Sequence, residues 1–152
     1  MSTVLRRTVL ASMLAAALAV APAAWADQIA DFVVGNAWIR KPPPGLDTAA
    51  MYFTIQNSTK NAVVIVGVKT PVAAHAMIHE TSVLNDQSRM RMKDTVTVPG
   101  GKGVAFAPEG LHVMLTGLTR TLEVGDKVPV TLELDHGGSI DLVATVRPLD
   151  AN

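Results

Sequence analysis

Thr131-Leu132-Glu133-Leu134-Asp135-His136-Gly137-Gly138-Ser139-Ile140-Asp141-Leu142-Val143-Ala144-Thr145-Val146 is the stretch that decides the fold class. On either side of Asp135-His136-Gly137-Gly138, apolar and polar residues alternate with period two. That spacing puts one row of side chains into a core and the other into solvent. The paired glycines supply the backbone freedom of a tight turn. The stretch reads as a β-hairpin near the C-terminus, and His136 as a residue of its turn.

The rest of the chain repeats the theme. Short β-rich runs follow one another at Phe32–Ile39, Ala49–Gln56, Ala62–Val68, Ala76–His79, Thr95–Val98, Val104–Phe106, Leu111–Thr116, Val128–Leu134 and Ile140–Val146. Pro42-Pro43-Pro44-Gly45, Asn57-Ser58-Thr59-Lys60-Asn61, Pro99-Gly100-Gly101, Pro108-Glu109-Gly110 and Gly125-Asp126 separate them, each rich in residues suited to turn dihedrals. No segment past the first residues keeps a long 3.6-residue apolar period. The expected fold is all-β, an antiparallel sandwich or barrel, with a frayed tail after Pro148.

The first residues stand apart. Arg6-Arg7 precede an apolar stretch from Thr8 to Ala24 that ends in Ala24-Trp25-Ala26, the layout of a cleaved secretory signal. Pro22 interrupts the run, which is short of the ~20 apolar residues a membrane span needs. The expectation is a signal peptide at residues 1–26, general export, and one domain at 27–152 with no stable membrane insertion. A single core suits that length.

Past Ala26, eleven Lys and Arg face thirteen Asp and Glu, a formal charge of −2, which gives nucleic acid nothing to bind. Cysteine is absent. In an exported chain that removes disulfides, thiolate nucleophiles and thiolate metal ligands. It also excludes a blue-copper electron-transfer centre, which needs a cysteine ligand.

Two histidines and two methionines carry the chemistry: His79, ten residues, Met90, twenty-one residues, His112, one residue, Met114. Imidazole suits several transition metals, whereas the soft thioether points to copper, and in its reduced, d¹⁰ state. On a strand, His112 and Met114 project from one face, about 6.8 Å apart at ~3.4 Å per residue. His75, Met77 and His79 likewise share a face, and so do Met90 and Met92, opposite Arg89 and Arg91. Met77, Met92 and then His75 are the second-choice donors. Glu80 points away, the two arginines form a solvated face, and Met51 packs in the core. All four donors are uncharged and none is a thiolate, so the ion is held as transferable cargo, at an exposed site on a loop-rich sheet edge where an incoming ligand can attack. Neutral imidazole is required for binding and titrates near ~6.5, so affinity should fall on acidification.

These residues resemble the metal motif of the PCu(A)C family of periplasmic copper chaperones. The resemblance extends to Ala37-Trp38-Ile39-Arg40 leading to Pro43-Pro44-Gly45, to Ala49-Ala50-Met51-Tyr52-Phe53-Thr54-Ile55-Gln56-Asn57 and to Val128-Pro129-Val130-Thr131-Leu132, nearly the whole chain after the signal. It implies a cupredoxin-like Greek-key β-sandwich that binds one Cu(I) through His79, Met90, His112 and Met114. It further implies transport of that ion in the periplasm toward the dinuclear copper centre of cytochrome oxidase subunit II, with a Sco-type thiol protein as a second partner. Some members of the family add a His- and Met-rich C-terminal tail for Cu(II). Pro148-Leu149-Asp150-Ala151-Asn152 has no such character, so no second site is expected.

Other classes fit less well. His79-Glu80 lacks the second histidine of a zincin, Gly101-Lys102-Gly103 is too short for a phosphate loop, and no Gly-x-Ser-x-Gly occurs. An enzyme is not expected. Copper buffering without dedicated delivery and a metal-free exported binding module remain the alternatives.

Overall fold

The computed structural model describes residues 31–85 and 87–151. The expected signal peptide and the first residues of the domain lie outside the described residues. Within them the chain forms ten strands and no helix: β1 (Phe32–Arg40), β2 (Thr48–Asn57), β3 (Val63–Lys69), β4 (Ala73–Leu84), β5 (Gln87–Met92), β6 (Val96–Val98), β7 (Gly103–Phe106), β8 (Leu111–Leu118), β9 (Lys127–Leu134) and β10 (Ser139–Arg147).

Hydrogen-bonded neighbours run in the order β5-β4-β8-β2-β1-β10-β9-β3-β6, and β7 pairs with β2 beyond the reach of β8. The path folds back on itself. β3 packs against β4, and β6 against β2, without sharing a ladder. The two halves thus face each other across one core, as period-two strands with a single apolar face require.

The expected β9–β10 hairpin forms, with Leu132 opposite Ile140 and Val130 opposite Leu142. Val128, Val130, Leu132, Ala144 and Val146 fill the core with Ile39, Met51, Phe53, Ile65, Val113 and Leu115. Phe53 and Phe106 stack with ring centroids 4.2 Å apart. Met51 is fully buried, as expected. Asn57, also fully buried, is satisfied on both ends of its amide. Its Nδ2 donates to the carbonyls of Asn61 and Val98, while its Oδ1 accepts from the backbone N–H and hydroxyl of Thr59. That amide ties the β2–β3 turn to β6, offsetting the desolvation of a polar side chain.

The structure departs from the sequence reading in three places. β1 and β10 run parallel, Ile39 opposite Val146, so the two halves join through a parallel pair and the fold is not wholly antiparallel; alternation reports which face a residue takes and says nothing of strand direction. Ala76–His79 is the middle of a twelve-residue strand, and the segment carrying Met90 is a strand of its own. The tail after Pro148 is not frayed up to Ala151, whose carbonyl accepts from Arg40 Nη2 at 2.9 Å.

Candidate metal centre

β8 presents two opposite faces. Val113 and Leu115 are fully buried in the core, so His112 and Met114 point outward. β4 lies antiparallel beside it with Ile78 opposite Val113, which places His79 opposite His112 and Met77 opposite Met114. On the far side of β4, β5 sets Met92 opposite His79 and Met90 opposite Thr81. One outer face of three adjacent strands therefore carries His75, Met77, His79, Met90, Met92, His112 and Met114.

Three of the four expected donors meet directly or nearly so. His79 Nδ1 lies 3.1 Å from Met90 Sδ, reached on the diagonal between β4 and β5. The His79 and His112 rings stand almost perpendicular, 78° apart, with centroids separated by 5.8 Å. Met114 is brought onto the same face two residues beyond His112, where its cross-strand neighbour is Met77. Accessibility grades across the group: His112 is 4% exposed and Met90 is 52% exposed. The expected loop-rich sheet edge is thus corrected. The donors stand on strands, the buried one mid-sheet and the accessible one on the edge strand, because β8 is covered on both sides by β4 and β2.

His112 is oriented by the break between β7 and β8. Both strands run along β2, and the chain loops out between them through Pro108-Glu109-Gly110, with Glu109 in the left-handed region at φ 64°. This aims the Gly110 carbonyl at two donors, the Thr81 backbone N–H at 3.0 Å and His112 Nδ1 at 3.0 Å. A carbonyl only accepts, so Nδ1 carries the proton and Nε2 keeps a lone pair for a metal. The contact between His79 and Met90 is softer, since thioether sulfur is a weak acceptor that yields easily to a stronger partner.

Burial lowers the pKa of His79 below its ordinary value of 6.5, and the like charge of a protonated His112 lowers it further. Both effects favour the neutral, ligating imidazole. Among the described residues there is no cluster of three or more His, Asp or Glu side chains able to hold a metal. Glu80 faces away, as expected, and pairs with Lys93 at 3.3 Å. The Glu80 carboxylate is therefore turned away from this face, and the donors brought together are imidazole and thioether, which suit a soft ion and suit Ca²⁺ or Mg²⁺ poorly.

Sequence reasoning missed the surroundings of His112. Tyr52 lies beside it, ring centroids 6.3 Å apart, and Trp38 lies 4.6 Å beyond Tyr52. Both rings sit on the outer face yet are only 5–6% exposed, because Arg40 covers both and Arg147 covers Trp38, with guanidinium carbons 5.2 to 5.6 Å from the ring centres. The alternation of Met51 and Tyr52 could have put Tyr52 on the outer face. Nothing in the sequence could have announced the Gly110 carbonyl.

Residues 32–146 match the model of the LpqE-like family, described as "Putative lipoprotein LpqE-like". The chain belongs to this family. A relative, "Putative lipoprotein Lxx21020" of Leifsonia xyli subsp. xyli (strain CTCB07), is 30% identical over 115 residues, covering 75% of this chain and 68% of its own. Among solved structures, the copper-bound PCuAC domain of PmoF2 superposes with a TM-score of 0.66 at 24% identity, over 78% of this chain and 93% of that one. DR1885 from Deinococcus radiodurans, solved in solution with Cu(I), is 33% identical with a TM-score of 0.63, covering 76% of each chain. The LpqE-like chain therefore has the cupredoxin-like β fold of PCuAC domains.

Proposed function

We propose that this LpqE-like protein is a periplasmic Cu(I) carrier that holds one ion through His79, Met90, His112 and Met114 and passes it on by ligand exchange. The observation that carries the reading is the convergence of His79, Met90 and His112 on one face of β5-β4-β8, with Met114 beside them and no carboxylate among them. Likeness to DR1885, which binds Cu(I), at 33% identity supports the same cargo here. The grading from a buried, oriented imidazole to an exposed thioether suits an ion that must be both held and released. His112 anchors, and Met90 is the first bond to give way. Carriage alone asks nothing of a nucleophile or a general acid, so the role is binding and transfer without catalysis.

For the recipient, the proposal is the dinuclear copper centre of cytochrome oxidase subunit II, with a Sco-type thiol protein assisting. A thiolate acceptor would draw Cu(I) from neutral donors, since softer and charged sulfur binds it more strongly. Titration of the protein with Cu(I) against a competing chelator tests the reading, for wild type, Met114→Ala and His112→Ala. One ion bound, with both variants weakened, is the expected result. Absence of stoichiometric uptake by the wild type would sink it.

A further inference from the structure

Two thioethers on the donor face remain unassigned by the four-ligand reading. Met77 and Met92 are not members of the core cluster, and Met92 is 61% exposed. Each is the cross-strand neighbour of a candidate ligand: Met92 sits opposite His79, and Met77 opposite Met114. Directly opposed side chains start from Cβ atoms only about 4.5 to 5.5 Å apart, well within reach of a methionine. β5 ends at Met92, which leaves the adjoining edge of β4 uncovered. A cleft of about 170 Å³ opens there between β3 and β4, and Met77 and Met92 both line it, together with Ile78, Lys93 and the carboxylate-bearing Asp94. Arg91 takes the opposite face of the hairpin, beside Glu80, and the Lys93 ammonium at the cleft is paired with the Glu80 carboxylate at 3.3 Å, which offsets its charge toward an entering cation.

We infer that Met77 and Met92 form a thioether relay beside the four-donor site, through which a soft d¹⁰ cation enters from the β3–β4 cleft and leaves by it. This rests on the Cu(I) reading above and adds a route to it. In the outward step a bond from the ion to Met92 Sδ forms as the bond to Met90 Sδ breaks, with His79 retained by both arrangements. Met77 makes the same exchange with Met114. Every step makes one metal–sulfur bond and breaks one. The ion stays Cu(I), no electron is transferred, and no proton moves because thioethers carry none. Met90 and Met92 lie two residues apart on one face, about 6.8 Å along the strand, a gap that two flexible side chains can share.

The relay acts on rate more than on affinity, and that separates it from simple ligation. Cu(I)-loaded protein is mixed with a chromophoric Cu(I) chelator in a stopped-flow instrument, for wild type, Met92→Leu, Met77→Leu and the double variant. Leucine keeps the volume and removes the sulfur. The expected result is an equilibrium affinity within about threefold of wild type and a transfer rate lower by roughly tenfold in the double variant. In parallel, wild type with ¹³C-methyl methionine is titrated with Ag(I), a redox-inert stand-in for Cu(I). The Met77 and Met92 methyl signals should shift along with those of Met90 and Met114. A double variant that transfers at the wild-type rate overturns the relay, and so does a titration in which only Met90 and Met114 respond. If the wild type takes up neither ion, the copper reading itself fails, and the relay with it.

Discussion

The β9–β10 and β4–β5 hairpins share one ladder geometry and use it differently. In β9–β10 every second residue is driven into the core, with Val128, Val130, Leu132, Ala144 and Val146 all at most 2% exposed. In β5 all six residues are exposed, and β4 beyond Glu80 has no β8 partner, because β8 begins at Leu111 opposite Glu80. One hairpin is held by burial of its apolar face. The other is held at its base by Ile78, 4% exposed, and projects from there. A register fixed by burial is rigid, since a slip of one residue would turn the whole apolar row to water. A projecting arm is under less constraint, and it carries the most accessible candidate ligand, Met90, while the buried ligand His112 stands on a strand packed on both sides.

The contrast predicts separable effects on folding and on metal binding. Leu132→Ala should lower unfolding stability by about 2–5 kcal/mol in a denaturant titration, whereas Met92→Leu, on an exposed position, should change it by less than about 0.5 kcal/mol. Comparable losses from the two substitutions would mean that the β4–β5 arm is as tightly constrained as the core hairpin. Second in size, His112→Ala should weaken Cu(I) binding on the order of 100-fold in a chelator competition, and Met90→Leu by about tenfold, because an oriented buried ligand is harder to replace than an exposed thioether. The reverse ranking would show that the arm holds the ion and β8 only supports it.

Proton linkage sharpens the comparison further. The folded-state pKa of His79 lies below its unfolded value, so below about pH 6.5 the unfolded chain binds more protons than the folded one and this residue's contribution to stability falls with acidification. Above that pH both states are neutral there and its contribution is flat. For Cu(I), competition from a proton on His79 should set in only below the pH at which a free imidazole titrates, giving a shallower loss between pH 7 and 6 than a histidine-containing peptide with the same donors. An affinity that did not change on further acidification would exclude both imidazoles as ligands. The smallest effect is expected from Glu80→Gln, which removes the pair with Lys93 from the back of the arm. With both side chains more than 40% exposed, the loss should stay within about 1 kcal/mol, and Cu(I) affinity should be unchanged.

The β9–β10 hairpin was legible because its alternation and its Gly-Gly turn are local signals that agree with each other. The β4–β5 hairpin was legible only in part. Its donors and their shared faces could be read from spacing, but β5 has no buried row to mark it as a strand. For the site, the alternation of His112, Val113, Met114 and Leu115 separated the outward pair from the core pair. That Met90 lies on the diagonal from His79, with Met92 directly opposite, required the hydrogen-bonded register.

By itself the sequence determined the all-β character, the faces on which the donors stand and the softness of the donor set, because these follow from side-chain chemistry and a two-residue period. Tertiary structure alone decided that His79 faces His112, that β1 and β10 pair in parallel, and that the Gly110 carbonyl holds the proton of His112 on Nδ1. Those features depend on which distant strands pair and in what register. Backbone hydrogen bonds look alike at every residue, so only the packing of the whole core could choose among the alternatives.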